Sequence, residues 1–250
     1  GSELAKRAAP DGYTLMFSSN TTHVLGPLPR EPRPFDAVAD FTSITKLLRY
    51  PLYLLIHPSV PVRTLNEFIA FAKGRPGELV YASAGLASMS HVAIELFTHA
   101  AGVRAIHSPY KGPTPALQAV AGGEAHFLFN NIGTSQALVA AGKLRGLAIT
   151  GDKRSPVLPQ MPTMAELGLR GFENVNTWVG SFAPAHLPQP ILNKLSGEIT
   201  RIMRTPEMEK RVLNDGYIAV VNTPSQFRSE ILAEVEVWSR VVRERGIKAE

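Results

Sequence analysis

Along its first 150 residues the chain repeats one order of hydrophobic and polar positions, in which a short apolar run precedes a stripe with helical spacing. Such a stripe has apolar residues three or four positions apart, which is the spacing of one helix face. Strands that alternate with short helices predict βαβ units, and therefore an α/β fold with a mainly parallel sheet. The strand-like runs are residues 13–17, 52–56, 79–82, 105–107, 126–129 and 144–149.

Capping signals predict where several helices begin. Thr64 and Glu67 have the spacing of a capping box, in which each side chain accepts a hydrogen bond from the backbone of the other residue. Thr223 and Gln226 repeat that spacing near the end of the chain. Residues 189–205 form a further amphipathic stripe, so the last third of the chain is predicted to be mainly helical.

Several of the predicted strands run into loops made of Ser, Thr, Asn and Gly, at residues 18–23, 83–91, 130–135 and 150–152. In open α/β sheets, ligands bind outside the carboxyl ends of the strands. Helix N-termini at that edge offer unpaired N–H groups to a carboxylate or phosphate. Ordinary turns use the same residue types, but four such loops at equivalent positions favour an anion-binding edge.

The sequence contains no recognisable catalytic or metal-binding motif. It has no cysteine, and its seven histidines show neither HxH nor HExxH spacing, so we expect no metal and no cofactor. The 83–91 loop lacks the G-x-S-x-G frame of a hydrolase, although a small hydrolase that uses Ser88 or Ser90 stays open as an alternative. We therefore interpret the chain as a binding protein without catalysis.

Composition narrows the class of ligand. Lys plus Arg exceed Asp plus Glu by 26 − 21 = 5, and this charge is spread along the chain rather than gathered into a basic strip. Nucleic acid is therefore not an expected partner, and a weak preference for small anions is all that the charge supports. No apolar run approaches the length of a membrane span, so we expect no stable membrane insertion.

The chain also resembles the Bug family, the periplasmic solute receptors of tripartite tricarboxylate transporters. Its resemblance extends along nearly the whole chain, in segments that keep their order and separation. These segments are AAPDGYTL (8–15), TH (22–23), HPSVPVRTLNEFIAFAKGRPGEL (57–79), SHVAIELF (90–97), GV with PYKG (102–112), AGKLRGLAITGDKRSPVLPQMPTMAELG (141–168), W with FAP (178–184) and the closing W..VVRERGIKAE (238–250).

The resemblance implies a type II periplasmic-binding-protein fold, in which two α/β lobes close over a small carboxylic acid. Lobe 1 would comprise residues 1–53 and 178–250, and lobe 2 residues 54–177. It also implies a monomeric periplasmic receptor that passes its ligand to the membrane subunits of a transporter. The ligand-sensing domain of a transcription regulator, which has the same fold, is a second alternative.

Three features depart from the family pattern. The first strand and helix region of the family are missing, so we expect an N-terminally truncated chain without its signal peptide. Asn130 and Asn131 stand where the family usually has Asp-Asn, so that an acceptor-only carboxylate is replaced by an amide that also donates. This change favours an acid without an amino group, or another anion. Ala87 stands where the family usually has Gly.

The loops and the resemblance together give a set of expected ligand-binding residues. Lys111 is the cation in this set, although an ordinary solvated loop lysine is the simpler interpretation of it. The set is Ser19, Asn20, Thr22, His23, Ser83, Ala84, Gly85, Ser88, Ser90, His91, Lys111, Asn130, Asn131, Thr150 and Trp178.

Overall fold

A computed structural model describes residues 1–244, 246 and 247. The chain forms two compact units. Unit 1 comprises Gly1–Arg49 and Thr177–Glu250, and unit 2 comprises Tyr50–Asn176. The sequence placed its lobe boundaries after residues 53 and 177. The assignment of these units as the lobes of a receptor stays a prediction. Within the described residues, no helix combines the length and apolar character needed to cross a membrane.

Unit 2 contains a mixed sheet with helices between its strands. Strand β3 runs parallel to β4 and to β5, whereas β2 is antiparallel to both β5 and β6. Strands β3 to β6 therefore point the same way, and their carboxyl ends lie at one edge of the sheet, called here the carboxyl edge. In chain order the elements are the second part of β2 (Phe41–Ile56), α2 (Leu65–Lys73), β3 (Leu79–Ser83), α3 (Met89–Ala101), β4 (Ala105–Pro109), α4 (Pro113–Ala121), β5 (Phe127–Asn131), α5 (Ile132–Ala140) and β6 (Arg145–Ile149).

The core of unit 2 explains why β2 gives a continuous apolar run in the sequence. Residues 52–56 of β2 are all buried, because β5 and β6 flank this strand and helices cover the sheet. Phe68 of α2 stacks on Phe97 of α3 at 5.9 Å, and its ring meets the edge of Phe127 at 5.2 Å. These contacts pack α2 and α3 against the sheet, and α3 begins at the carboxyl edge.

Unit 1 contains the first part of β2, a second group of strands and the three C-terminal helices. Strand β1 pairs antiparallel with β7, which lies between β1 and β2, and β8 pairs antiparallel with β2. Besides β2, its elements are α1 (Ser2–Lys6), β1 (Met16–Ser19), a π-helical turn (Thr21–Leu25), β7 (Asn176–Pro184), α6 (Gln189–Met203), α7 (Pro206–Asn214), β8 (Ile218–Ala219) and α8 (Pro224–Glu244).

Several elements differ from the sequence prediction. Strand β1 begins at Met16 rather than at residue 13, and β2 extends back to Phe41. The sequence did not predict β7 as a strand, nor the π-helical turn. Both capping boxes are present, since Glu67 N–H donates to Thr64 Oγ1 and Gln226 N–H donates to Thr223 Oγ1. The sequence therefore predicted the local capping signals correctly. It did not predict the full extent of β2 or the strand β7.

Candidate ligand-binding site

Two adjacent asparagines at the carboxyl edge have unsatisfied hydrogen-bond donors. The Oδ1 of Asn130 accepts the N–H of Asn131 at 2.8 Å, and the Oδ1 of Asn131 accepts the N–H of Thr134 at 3.1 Å. Since each oxygen is engaged by a backbone donor, the orientation of both amides follows from these bonds. Both Nδ2 atoms are buried and have no partner within the described residues. Buried orphan donors are costly, so this pair points to an acceptor supplied by a ligand.

The start of α5 adds a favourable field for an anion at the same place. Asn131 is the N-cap of α5, whose first turn begins directly after the strand. Helix N-termini carry the positive end of the helix dipole. On the other side of Leu52, Thr150 Oγ1 accepts the N–H of Leu52 at 2.8 Å, and in the described part of the chain the hydroxyl hydrogen of this buried threonine has no acceptor.

The 83–91 loop uses most of its N–H groups within itself. The N–H of Ala84 donates to Ser90 Oγ at 3.0 Å, and that of Gly85 donates to Ser83 Oγ at 3.2 Å. The N–H of Ala87 donates to His91 Nδ1 at 3.2 Å, although Ala87 has a φ of +55°. Glycine adopts this left-handed conformation more readily than alanine does.

Serine side chains also stabilise this loop. Ser88 Oγ caps α3 by accepting the N–H of His91, and it lies 3.0 Å from Ser90 Oγ. Within the described residues, the N–H groups of Leu86 and Ser90 have no hydrogen-bond partner. The loop therefore offers an anion only a few backbone donors, fewer than its composition suggested.

An aromatic column that the sequence did not predict packs against this loop. Tyr81 of β3 stacks on His107 of β4 at 4.7 Å, and His107 stacks on His91 of α3 at 4.2 Å. Burial lowers the pKa of His91 to about 4, and burial together with the nearby His91 lowers the pKa of His107 to about 4. The Tyr81 hydroxyl donates to Glu95 Oε1 at 2.5 Å, and burial and this bond raise the pKa of Tyr81.

Lys111 lies in the loop between β4 and α4. Its side chain is exposed, and Gly112 caps the helix with a φ of +125°. Within the described residues, Lys111 has no hydrogen bond or ion pair. This placement matches a solvated loop lysine.

The predicted residues of unit 1 are mostly engaged in packing. His23 is fully buried, and its ring stacks on Phe182 at 3.9 Å. Its Nε2 lies 2.8 Å from the carbonyl oxygen of Ala37, which can only accept, so Nε2 carries the proton. Burial lowers the pKa of His23 to about 4. Ser19 Oγ accepts the N–H of Thr22, whose side chain is exposed.

Asn20 and Trp178 belong to a buried network around Glu234, a residue that the sequence gave no reason to select. Trp178 Nε1 donates to Glu234 Oε1 at 2.6 Å, and Asn20 Nδ2 donates to Glu234 Oε2 at 3.5 Å. Burial raises the pKa of Glu234, while these hydrogen bonds and the charge of Lys46 oppose the rise. The only polar atom of the Trp178 side chain is thus already bonded within unit 1.

The chemistry available at the carboxyl edge is hydrogen-bond donation. Ser83 Oγ lies 2.7 Å from His107 Nε2, but Ser83 is fully buried, and neither the Ser88 nor the Ser90 hydroxyl bonds a histidine ring within the described residues. The described part of the chain likewise holds no group of three or more His, Asp or Glu side chains that could bind a metal ion. What the edge offers is therefore a set of neutral donors suited to a carboxylate.

Comparison with known proteins gives consistent relatives. The sequence profile of the tripartite tricarboxylate transporter family receptor matches residues 1–247. BugT of Bordetella pertussis is 32% identical over 249 residues, which are 99% of this chain and 76% of BugT. Rpa4515 of R. palustris with adipate has a TM-score of 0.92 and 30% identity over 99% of this chain and 82% of its own. MatC from Rhodopseudomonas palustris with bound malate has a TM-score of 0.86 and 29% identity over 96% of this chain and 83% of its own.

Proposed function

The chain belongs to the tripartite tricarboxylate transporter family of receptors, and on that premise we propose that Asn130, Asn131 and the start of α5 capture a carboxylate of its ligand. The α/β fold is that of the periplasmic binding proteins in this family. The chain is a carboxylate-binding solute receptor and not an enzyme, which removes the hydrolase alternative. Family membership also favours the receptor over a transcription regulator.

The two orphan amide groups are the observation that supports this site. A carboxylate oxygen only accepts hydrogen bonds, so it matches two NH₂ groups that lack an acceptor. A hydrogen bond to a charged group contributes about 1.5–3 kcal/mol, and the dipole of α5 adds a smaller contribution of the same sign. Other donors of the expected set, such as the Thr150 hydroxyl and the N–H of Ser90, would complete the site.

The absence of an acidic side chain from the Asn130–Asn131 pair bears on the ligand class. An ammonium group needs an acceptor, and here the Oδ1 atoms of both residues already accept backbone N–H groups. We therefore expect a di- or tricarboxylic acid without an amino group. Malate and aspartate form a matched pair for this question, because they differ only in a hydroxyl against an ammonium.

Substitution of Asn131 by Asp tests the proposal with little structural change. Asn131→Asp keeps an oxygen that accepts the N–H of Thr134, and it replaces the orphan NH₂ by a carboxylate oxygen. We expect affinity for malate or adipate to fall at least tenfold, which corresponds to about 1.4 kcal/mol. Calorimetry with malate, adipate and aspartate measures this, and wild type should prefer malate to aspartate.

Asn66→Asp is the matched control. Asn66 lies exposed in the first turn of α2, in the same unit, so the variant carries the same charge change away from the carboxyl edge. It should bind as wild type does. Wild-type affinity in folded Asn131→Asp, or no binding of any of the three acids by wild type, would contradict the proposal.

Family membership further supports a role in uptake. We expect a periplasmic, monomeric receptor that passes its ligand to the membrane subunits of a tripartite transporter. Light scattering should give a mass near 27.1 kDa for the chain. In cells lacking the gene, wild type and Asn66→Asp should restore uptake of the radiolabelled acid, whereas Asn131→Asp should not. Restoration by both variants would place the ligand contact elsewhere.

A further inference from the structure

Two histidines hold the loop of residues 84–88 through hydrogen bonds. The N–H of Ala87 donates to Nδ1 of His91, so this nitrogen must carry a lone pair rather than a proton. The proton of the neutral ring is therefore on Nε2, which lies 3.8 Å from Glu95 Oε1. A second proton would have to enter at Nδ1, where it would face the N–H of Ala87.

His107 supports the same loop through Ser83. His107 Nε2 lies 2.7 Å from Ser83 Oγ, and this oxygen also accepts the N–H of Gly85 at 3.2 Å. Ser83 Oγ also lies 3.3 Å from the carbonyl oxygen of Gly85, to which it donates when His107 Nε2 carries a proton, whereas an unprotonated Nε2 can take that hydrogen instead. The hydrogen bond between Ser83 and His107 thus sets the direction of the hydroxyl that holds Gly85.

Protonation would act on both ends of the loop together. Two cationic rings stacked at 4.2 Å repel each other. At Ala87, loss of the bond to His91 would release a residue whose left-handed backbone costs about 1 kcal/mol. The strained residue and its hydrogen bond therefore depend on the charge of a ring four positions away.

We propose that the stacked His91–His107 pair positions the 84–88 loop, and that the loop keeps its shape only while both rings are neutral. Because this loop is a candidate wall of the carboxylate site, acid would also weaken ligand binding, a consequence that rests on the proposed function. The pKa of each ring, lowered to about 4, is consistent with neutral rings at ordinary pH.

The groups around the pair are few. Tyr81 of β3 stacks on His107, and its hydroxyl bonds Glu95, which projects from α3 beside His91. Among the described residues, Glu95 is the charged side chain beside the pair, and its charge favours the protonated form of His107. Burial outweighs this attraction, so the neutral forms persist well below the usual histidine range.

Nitrogen-15 NMR of the wild-type imidazoles tests the first part without any ligand. We expect His91 to be the Nε2-protonated tautomer at pH 7. The protection factor of the Ala87 amide against hydrogen exchange should fall with the same midpoint, near pH 4, at which His91 titrates. An Nδ1-protonated tautomer, or an Ala87 amide that stays equally protected while His91 titrates, would overturn the proposal.

A non-titrating variant tests the link to binding. In the double variant His91→Asn/His107→Gln, the side-chain amides can make the hydrogen bonds that His91 Nδ1 and His107 Nε2 make in wild type. These amides do not ionise between pH 7 and pH 4. If both rings titrate near pH 4, about a quarter of wild-type molecules keep both neutral at that pH, so affinity should fall about fourfold. Calorimetry with malate at pH 7 and pH 4 measures this change in affinity. The ratio of the wild-type affinity to the variant affinity at each pH cancels the effect of the ionisation of malate itself.

His99→Gln is the control, since His99 is exposed in the last turn of the same helix. This control should lose affinity in acid as wild type does, whereas the double variant should not show the additional fourfold loss. Equal losses in wild type and double variant would refute the link to binding. Absence of malate binding at every pH would contradict the proposed function alone, because the NMR titration decides the histidine proposal by itself.

Discussion

His23 should make the stability of unit 1 depend on pH. Its ring is fully buried among Phe35, Phe41 and Phe182, with Nε2–H bonded to the carbonyl of Ala37 and no partner within the described residues for Nδ1. A proton added at Nδ1 would be a buried charge beside aromatic rings. In the unfolded chain the same ring accepts that proton freely, so acid favours unfolding.

The size of the effect follows from the two pKa values. The pKa is about 4 in the folded protein against 6.5 for a free histidine. Since the folded pKa is the lower one, stability is complete above pH 6.5, falls as the pH drops towards 4, and then stays level. The total loss is about 3.4 kcal/mol, and the part between pH 7 and pH 5 is about 1.8 kcal/mol.

Urea unfolding followed by tryptophan fluorescence measures this in the right part of the protein. Both tryptophans of the chain, Trp178 and Trp238, belong to unit 1. His91 and His107 belong to unit 2 and are present in wild type and variant alike, so their contribution cancels in the comparison. In His23→Phe the pH-dependent term is removed, at the expense of the bond to Ala37, so the variant should be less stable at pH 7 but should lose about 1.8 kcal/mol less than wild type between pH 7 and pH 5.

The control is His186→Asn, which changes an exposed histidine of the same unit whose φ of +65° an asparagine tolerates. Its decrease in stability from pH 7 to pH 5 should equal that of wild type. If His23→Phe also shows the full wild-type decrease, the buried neutral ring is not the source and the reasoning fails.

Two further predictions concern buried contacts. Glu234→Ala should lower the free energy of unfolding by about 2–4 kcal/mol, because it leaves the Trp178 N–H without an acceptor. Glu234→Gln keeps an acceptor oxygen and should lose much less stability in the same urea assay. Equal losses of stability in the two variants would contradict this reasoning. Gly146→Ala would place a methyl carbon 1.6 Å from the Tyr53 hydroxyl oxygen and should destabilise by about 3 kcal/mol. By contrast, Gly197→Ala on α6 meets open space and should stabilise by about 0.5–1 kcal/mol in thermal unfolding, so a common sign for the two glycines would be inconsistent with these contacts.

The sequence predicted features that depend on neighbours along the chain. The Thr64–Glu67 capping box is formed by residues three positions apart, and α2 begins as predicted. Asn130 and Asn131 were expected at a strand end, and they lie at the end of β5. In each case the chemistry is local, so the pattern carries the information.

Features that depend on distant residues were missed. The first part of β2 pairs with β8, and its apolar pattern is less regular than that of residues 52–56. The hydrogen bond between Trp178 and Glu234 joins residues far apart in the chain. No local pattern in the sequence therefore predicted that this carboxylate is buried. The same is true of the His91–His107 stack, since the two rings come from α3 and β4.

The hydrogen bonds that hold the side-chain oxygens of Asn130 and Asn131 have a thermodynamic consequence. Each side chain is already immobilised through its oxygen, so its NH₂ group has a fixed direction before any ligand arrives. Ordering a free polar side chain on binding costs about 0.5–1.5 kcal/mol, and this preorganised pair avoids most of that entropy loss. The same rigidity keeps the donors from turning towards a misplaced oxygen, so the pair discriminates by the angle of approach rather than by the strength of its bonds.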